Sequence, residues 1–186
     1  MVRRITALIL VVVIAGLVVG PADAKKKKPA PVSITYHMNW GGDCAGSGYL
    51  ALAPAPNPDA CALYFPGLGD SYSFPSSEGT PFTLDATKPI LVDFVLSHVA
   101  SAQAAFEAVL TGTIKGESTP IASANQTIPV GISGMPTPVH FDLEPDAALN
   151  NAVITGLALT ISWTDGFSYS TIDFDAGATV IVNGAK

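Results

Sequence analysis

Asp142 and Glu144 are the side chains in this sequence best placed to do chemistry together. Val139, Phe141 and Leu143 alternate with His140, Asp142 and Glu144. On a strand the three polar groups therefore share one face, with alternate side chains about 6.6 Å apart. Two carboxylates at that spacing could act as general acid and base of a hydrolase, or as two oxygen ligands of a cation. The plainer expectation is a solvated outer face. Asp165, followed by Gly166, forms a second acidic group with Asp173 and Asp175. Carboxylates near loops at one end of a sheet could hold Ca2+. Ordinary turn aspartates are the simpler expectation. No other cofactor is implied.

Other routes to catalysis find no support in the sequence, and no catalytic residue is assigned. The Gly-x-Ser-x-Gly turn of a serine hydrolase is absent, because Ser47 and Ser133 stand at the wrong spacing from their glycines. No phosphate-cradling glycine loop is present. His37, His98 and His140 show no paired spacing for zinc. Aromatic rings point to binding instead. Trp40, Tyr49, Tyr64 and Tyr72 are available to pack against a sugar ring. Trp40 and Trp163 end apolar faces and suit a core edge. Tyr49, Tyr64 and Tyr72 flank the cysteine-bearing loop. Asn125-Gln126-Thr127 has the form of an N-glycosylation acceptor.

The elements that must position these residues begin after an export signal. Arg3 and Arg4 precede an apolar run from Ile5 to Val19, and Ala22-Asp23-Ala24 has the small-residue form of a cleavage site. A run of about 15 residues is shorter than the roughly 20 that span a bilayer. The reading is a signal peptide over 1–24, and no membrane span in the mature chain. Residues 25–31, Lys25-Lys26-Lys27-Lys28-Pro29-Ala30-Pro31, read as an extended flexible arm. Residues 32–186 form one domain. The mature chain has 7 Lys, no Arg and 14 acids, a formal charge of −7. Beyond Lys28 only 3 Lys face those 14 acids. Nucleic-acid binding needs a cationic stripe, so that class is excluded. The sharper alternative for the arm is electrostatic tethering to an anionic envelope. Export makes a Cys44–Cys61 disulfide the default pairing of the only two cysteines. Closing a loop of that size stabilises by about 3 kcal/mol.

Within the domain the dominant period is two. Val32, Ile34, Tyr36, Met38 and Trp40 alternate with Ser33, Thr35, His37 and Asn39. Ile90 to Val99 is apolar on both faces and predicts a central strand. Ala102 to Lys115 has an ambiguous start, and its Phe106, Ala108, Leu110 and Ile114 favour a strand. A polar stretch with weak strand signal runs on to Gly134. Val153 to Trp163 reads as the longest clean strand, and Asp165-Gly166 as the turn of a hairpin leading into 167–173. Fifteen prolines and 17 glycines punctuate the full chain at short intervals. The fold class is all-β: a two-sheet antiparallel sandwich, jelly-roll or Ig-like.

From Phe82 to Val182 the order of pieces resembles the jelly-roll (galactose-binding-like) accessory domains of secreted bacterial proteins. The pieces are Phe82-Thr83-Leu84-Asp85, Ile90 to Phe94, Phe106 to Leu110, Val139 to Leu143, Gly156 to Ile161 and Val180-Ile181-Val182. The resemblance implies sugar binding or packing beside a catalytic domain, and carries no site residue across. The expectation is a secreted or cell-surface, non-catalytic binding module for a polysaccharide or cell-envelope component. The alternatives are a structural cell-surface protein and a small secreted hydrolase using Asp142 and Glu144.

Overall fold

The computed structural model describes residues 29–40, 48–55, 62–65, 68–76, 78–96, 104–128, 136–166, 170–173 and 177–186. The signal segment, the lysines of the arm, Cys44, Cys61 and Asp175 lie outside them, as do the side chains of 62–65 and 170–173. Thirteen strands are described. They are β1 (Pro31–Trp40), β2 (Gly48–Ala51), β3 (Ala62–Phe65), β4 (Ser71–Ser76), β5 (Phe82–Leu84), β6 (Ile90–Leu96) and β7 (Ala104–Ile114), followed by β8 (Glu117–Ile128), β9 (Thr137–Leu143), β10 (Val153–Ile154), β11 (Leu157–Gly166), β12 (Ser170–Asp173) and β13 (Thr179–Ala185). One 3-10 turn, Ala147–Leu149, is capped by Asp146, whose carboxylate accepts from the Ala148 N–H at 2.9 Å.

The strands form two antiparallel sheets, the sandwich that the period-two pattern predicts. The four-stranded sheet runs β4-β11-β7-β8. The nine strands of the other sheet fill five lanes. β6 pairs with β9 along its whole length on one side. On its other side it meets β13 at residues 91–93 and β12 at 95–96, so β12 extends the lane of β13. β3 extends the lane of β1 in the same way. β5 meets β13 on the side that β6 occupies, and β10 lies beyond β5 on the side of β9. β2 closes the edge beside β1.

Alternating residues fill the space between the sheets. Ile90, Val92, Phe94 and Leu96 of β6 are buried, as are Phe106, Ala108 and Leu110 of β7 and Leu157, Leu159, Ile161 and Trp163 of β11. Each such side chain contributes about 1.5–3 kcal/mol by leaving water. Phe94 and Phe141 stack at 6.0 Å between ring centres. At one side of the sandwich β2 approaches β4 at Gly48, where a Cβ would lie 2.5 Å from two carbons of the buried Phe74 ring. On the other side Ala122 of β8 bridges Pro145 beyond β9.

Three expectations need correction. Residues 153–163 are not one strand. β10 belongs to the large sheet and β11 to the small one, and the chain crosses between them at Thr155-Gly156. Thr113 holds this crossing from both sides, donating to the Gly156 carbonyl at 2.8 Å and accepting from the Thr155 N–H at 2.9 Å. The crossing shifts the inward phase by one residue: Ile154 is buried and Val153 is 52 % exposed. Asp165-Gly166 is likewise not a hairpin turn. β11 pairs with β7 through Gly166, with a bulge between Trp163 and Asp165, and β12 then enters the other sheet. Finally, the weakly patterned stretch contains β8, the longest described strand. Its consecutive buried Ile121 and Ala122 break the alternation, and Pro120 sits where edge strands tolerate proline.

Candidate functional site

The outer face of the large sheet gathers polar groups that are far apart in sequence. One row across it runs His37 (β1), Thr179 (β13), Asp93 (β6) and His140 (β9), each directly opposite the next. The adjacent row is Thr35, Ile181, Leu91 and Asp142. These side chains point outward because the alternate residues of the same strands fill the core. The face therefore combines a polar line with an apolar strip.

His140 organises the polar line. Its Nδ1 donates to Asp93 Oδ1 at 2.6 Å, since a carboxylate can only accept, and its Nε2 lies 3.3 Å from Asp142 Oδ1. The hydrogen bond to Asp93 is the largest influence raising the imidazole above its usual value; slight burial opposes it, and the charges of Asp93 and Asp142 add to it. A raised folded value means the pair stabilises the fold fully below the unfolded value, and the contribution is lost as pH rises through the folded one. His140 and Asp93 are 51 % and 43 % exposed, so solvent screening holds the contribution to at most about 1 kcal/mol.

The sequence-derived candidates divide. Asp142 does share the exposed face of β9 with His140 and is bonded to that ring, while Glu144 is exposed just past the end of β9. Asp93, the residue that anchors the network, was not singled out. Its one signal is a carboxylate in the otherwise apolar Ile90–Leu96 strand. Tyr49 projects from β2 on the outer face, 37 % exposed, opposite Asn39. Asn39 is buried and pins the chain beside it, donating to the Ala53 carbonyl at 3.0 Å and accepting from the Ala55 N–H at 2.8 Å. Trp40 and Tyr72 are brought together, but between the sheets: their rings meet edge-on at 5.8 Å, and Trp40 also meets Phe74 at 6.2 Å. Tyr64 lies in β3, and its side chain is outside the described residues.

Asp165 is bonded locally at the end of β11, its carboxylate accepting from the Gly166 N–H at 2.8 Å and its carbonyl from the Trp163 indole at 2.8 Å. Asp173 ends β12 opposite Val95, with its side chain undescribed. Among the described residues no group of three or more His, Cys, Asp or Glu is arranged to hold a metal ion. Nor is any described helix long and apolar enough to cross a membrane.

No family model and no curated protein matches the chain. Solved structures do resemble it. A carbohydrate-binding module of family 28 specific for non-crystalline cellulose is 10% identical with a TM-score of 0.46, over 80% of this chain and 85% of that one. A xylan-binding module of family 15 is 13% identical with a TM-score of 0.42, over 85% and 98%. Infectious bursal disease virus (Gt strain) is 14% identical with a TM-score of 0.44, over 83% of this chain and 32% of that one. At these scores and identities no ligand, residue or activity passes from them to this chain.

Proposed function

We propose that this protein is a secreted, non-catalytic binding module that takes a polysaccharide across the outer face of its large sheet. The observation that carries the reading is the Asp93–His140–Asp142 network, whose Asp142 stands in the same row as the apolar pair Leu91 and Ile181. A sugar ring presents hydroxyls at its rim and C–H groups on its faces. Carboxylates accept from the hydroxyls, and aliphatic side chains cover the C–H faces. The imidazole holds the two carboxylates in fixed positions before any ligand arrives, which lowers the cost of ordering them on binding. Tyr49 adds an exposed ring at the far side of the same sheet.

The hydrolase alternative has weaker support from geometry. Asp142 is 60 % exposed and hydrogen-bonded to His140 on an open sheet face. An acid that must stay protonated for catalysis needs a drier setting. Export by the segment 1–24 remains part of the proposal, with Lys25–Lys28 as a flexible arm; tethering to the envelope through those lysines belongs to the alternative, a structural cell-surface protein. Affinity electrophoresis through gels containing soluble polysaccharides tests the reading. Retardation by at least one polymer, relieved in the double variant Asp93→Asn/Asp142→Asn, is the expected result. Equal mobility in every polymer would end it.

A further inference from the structure

At the foot of the same sheet face lies a second concavity of about 640 Å3, within the range of small-molecule sites. Its floor is the row Pro31, Ala185 and Thr83, which are successive partners across β1, β13 and β5. Its wall is the turn carrying Asn150 and Asn151, joined by hydrogen bonds to the segment carrying Asp85 and Thr87. The walls are held by backbone bonds. Asn151 N–H donates to the Leu84 carbonyl at 2.9 Å, Leu84 N–H to the Ala152 carbonyl at 2.9 Å, and Asp85 N–H to the Asn183 carbonyl at 3.0 Å. Asn150 Oδ1 accepts from the Ala86 N–H at 3.2 Å, and Asp85 Oδ1 accepts from the Thr87 hydroxyl at 2.6 Å.

The groups left for a ligand are of one kind. The Thr83 hydroxyl and the Asn151 side chain have no hydrogen-bond partner among the described residues, and the Asn150 amide NH2 is also unused. Asn151 takes φ 68, a backbone state that costs free energy for a non-glycine residue and is least costly for asparagine. It sets the amide at the cleft's rim. Amide and hydroxyl groups both donate and accept, as a vicinal diol requires. Pro31 and Ala185 offer an apolar patch for a ring's C–H face. Among the described residues no lysine lines the cleft, and Asp85 disfavours an anion there.

We infer that this cleft is a subsite for one or two neutral pyranose units of the chain that crosses the His140 row. The inference rests on the proposed function. From Thr179 in that row to Ala185 in the cleft is six residues of β13, about 20 Å at the rise of an extended strand. A ligand must be several sugars long to engage both places. Affinity should then climb with chain length until both are filled.

The test is amide chemical-shift mapping with β-1,4-linked oligomers of glucose, xylose, mannose and N-acetylglucosamine, from two to six units. The wild type is compared with Thr83→Val/Asn151→Gly, which removes both free polar groups and keeps the backbone at 151 unstrained. The expected result is that a hexamer shifts amides around Thr83 and Asn151 as well as around Asp93 and His140. The variant should lose the first set and bind the hexamer about thirtyfold more weakly, in line with removing two hydrogen bonds worth about 1 kcal/mol each. Shifts confined to the Asp93–His140 region would overturn the subsite and leave the proposed function standing. Shifts confined to the cleft would overturn the face and, with it, the claim that one sugar chain engages both places. Shifts in neither region would overturn both.

Discussion

Gly184→Ala should destabilise this domain through a clash with backbone. Gly184 is paired with Val32 of β1 on one side and Leu84 of β5 on the other. A Cβ there would lie 2.4 Å from the Thr83 carbonyl oxygen and 2.9 Å from Phe82 Cδ2. The first contact is with backbone, so no rotamer change relieves it. Either β5 moves off β13 or the strand bends. Overpacking of this kind costs about 1–3 kcal/mol. In a domain of this length each kcal/mol lowers Tm by about 2–4 °C, so the variant should melt roughly 2–12 °C below the wild type. Gly112→Ala is the matched control. Its nearest contact, also at 2.4 Å, is Ile121 Cδ1, the far end of a flexible side chain that can turn away. Thermal unfolding followed by circular dichroism measures both. A Gly184→Ala Tm within 1 °C of the wild type would refute the lane arrangement, in which β5 and β6 share one side of β13. So would a larger loss at Gly112.

Further predictions concern the face and its supports. In an NMR titration His140 should hold its proton above the ordinary histidine range, and Asp93→Asn should lower its pKa; an unchanged value would remove the 2.6 Å hydrogen bond as its cause. The stability difference between wild type and His140→Gln should be largest below about pH 6.5 and should fade as pH rises through the raised value, staying within about 1 kcal/mol; urea unfolding at several pH values checks this. Asn39→Ala leaves the Ala53 carbonyl and Ala55 N–H unpaired and should cost about 1–3 kcal/mol in the same assay. The Tyr36 phenol, buried against the Glu78 carbonyl at 3.2 Å, is pushed up to about 12 by desolvation and then by the Glu78 charge. Its ultraviolet ionisation should therefore fall above the ordinary tyrosine range.

The two sheets were legible because side-chain alternation reports directly on burial. Val32 to Trp40 reads as β1, and Ile90 to Leu96 as a strand with partners on both sides. Chain crossings between sheets were not legible. At Thr155-Gly156 and again after Gly166 the apolar pattern continues, while the partner strands change, and partners are set by contacts distant in sequence. β8 escaped notice because a bulge places Ile121 and Ala122 inward together. The site shows the same division. Local spacing put His140 and Asp142 on one face. Only the pairing of β6 with β9, 47 residues apart at Asp93 and His140, supplies the anchoring carboxylate. Trp40 followed its phase into the space between the sheets, in step with Ile34, Tyr36 and Met38.

The claim that the outer face of the large sheet is the binding surface meets its most direct test in calorimetric titration of three proteins with the best-retained polysaccharide. These are the wild type, Asp93→Asn/Asp142→Asn, and Thr160→Ala/Ser162→Ala, whose changes lie on the outer side of β11 in the small sheet. Loss of the two carboxylates should weaken binding at least about tenfold, 1.4 kcal/mol, while the control stays within about twofold of the wild type. Unchanged affinity in the first variant, or the larger loss in the second, would contradict the account.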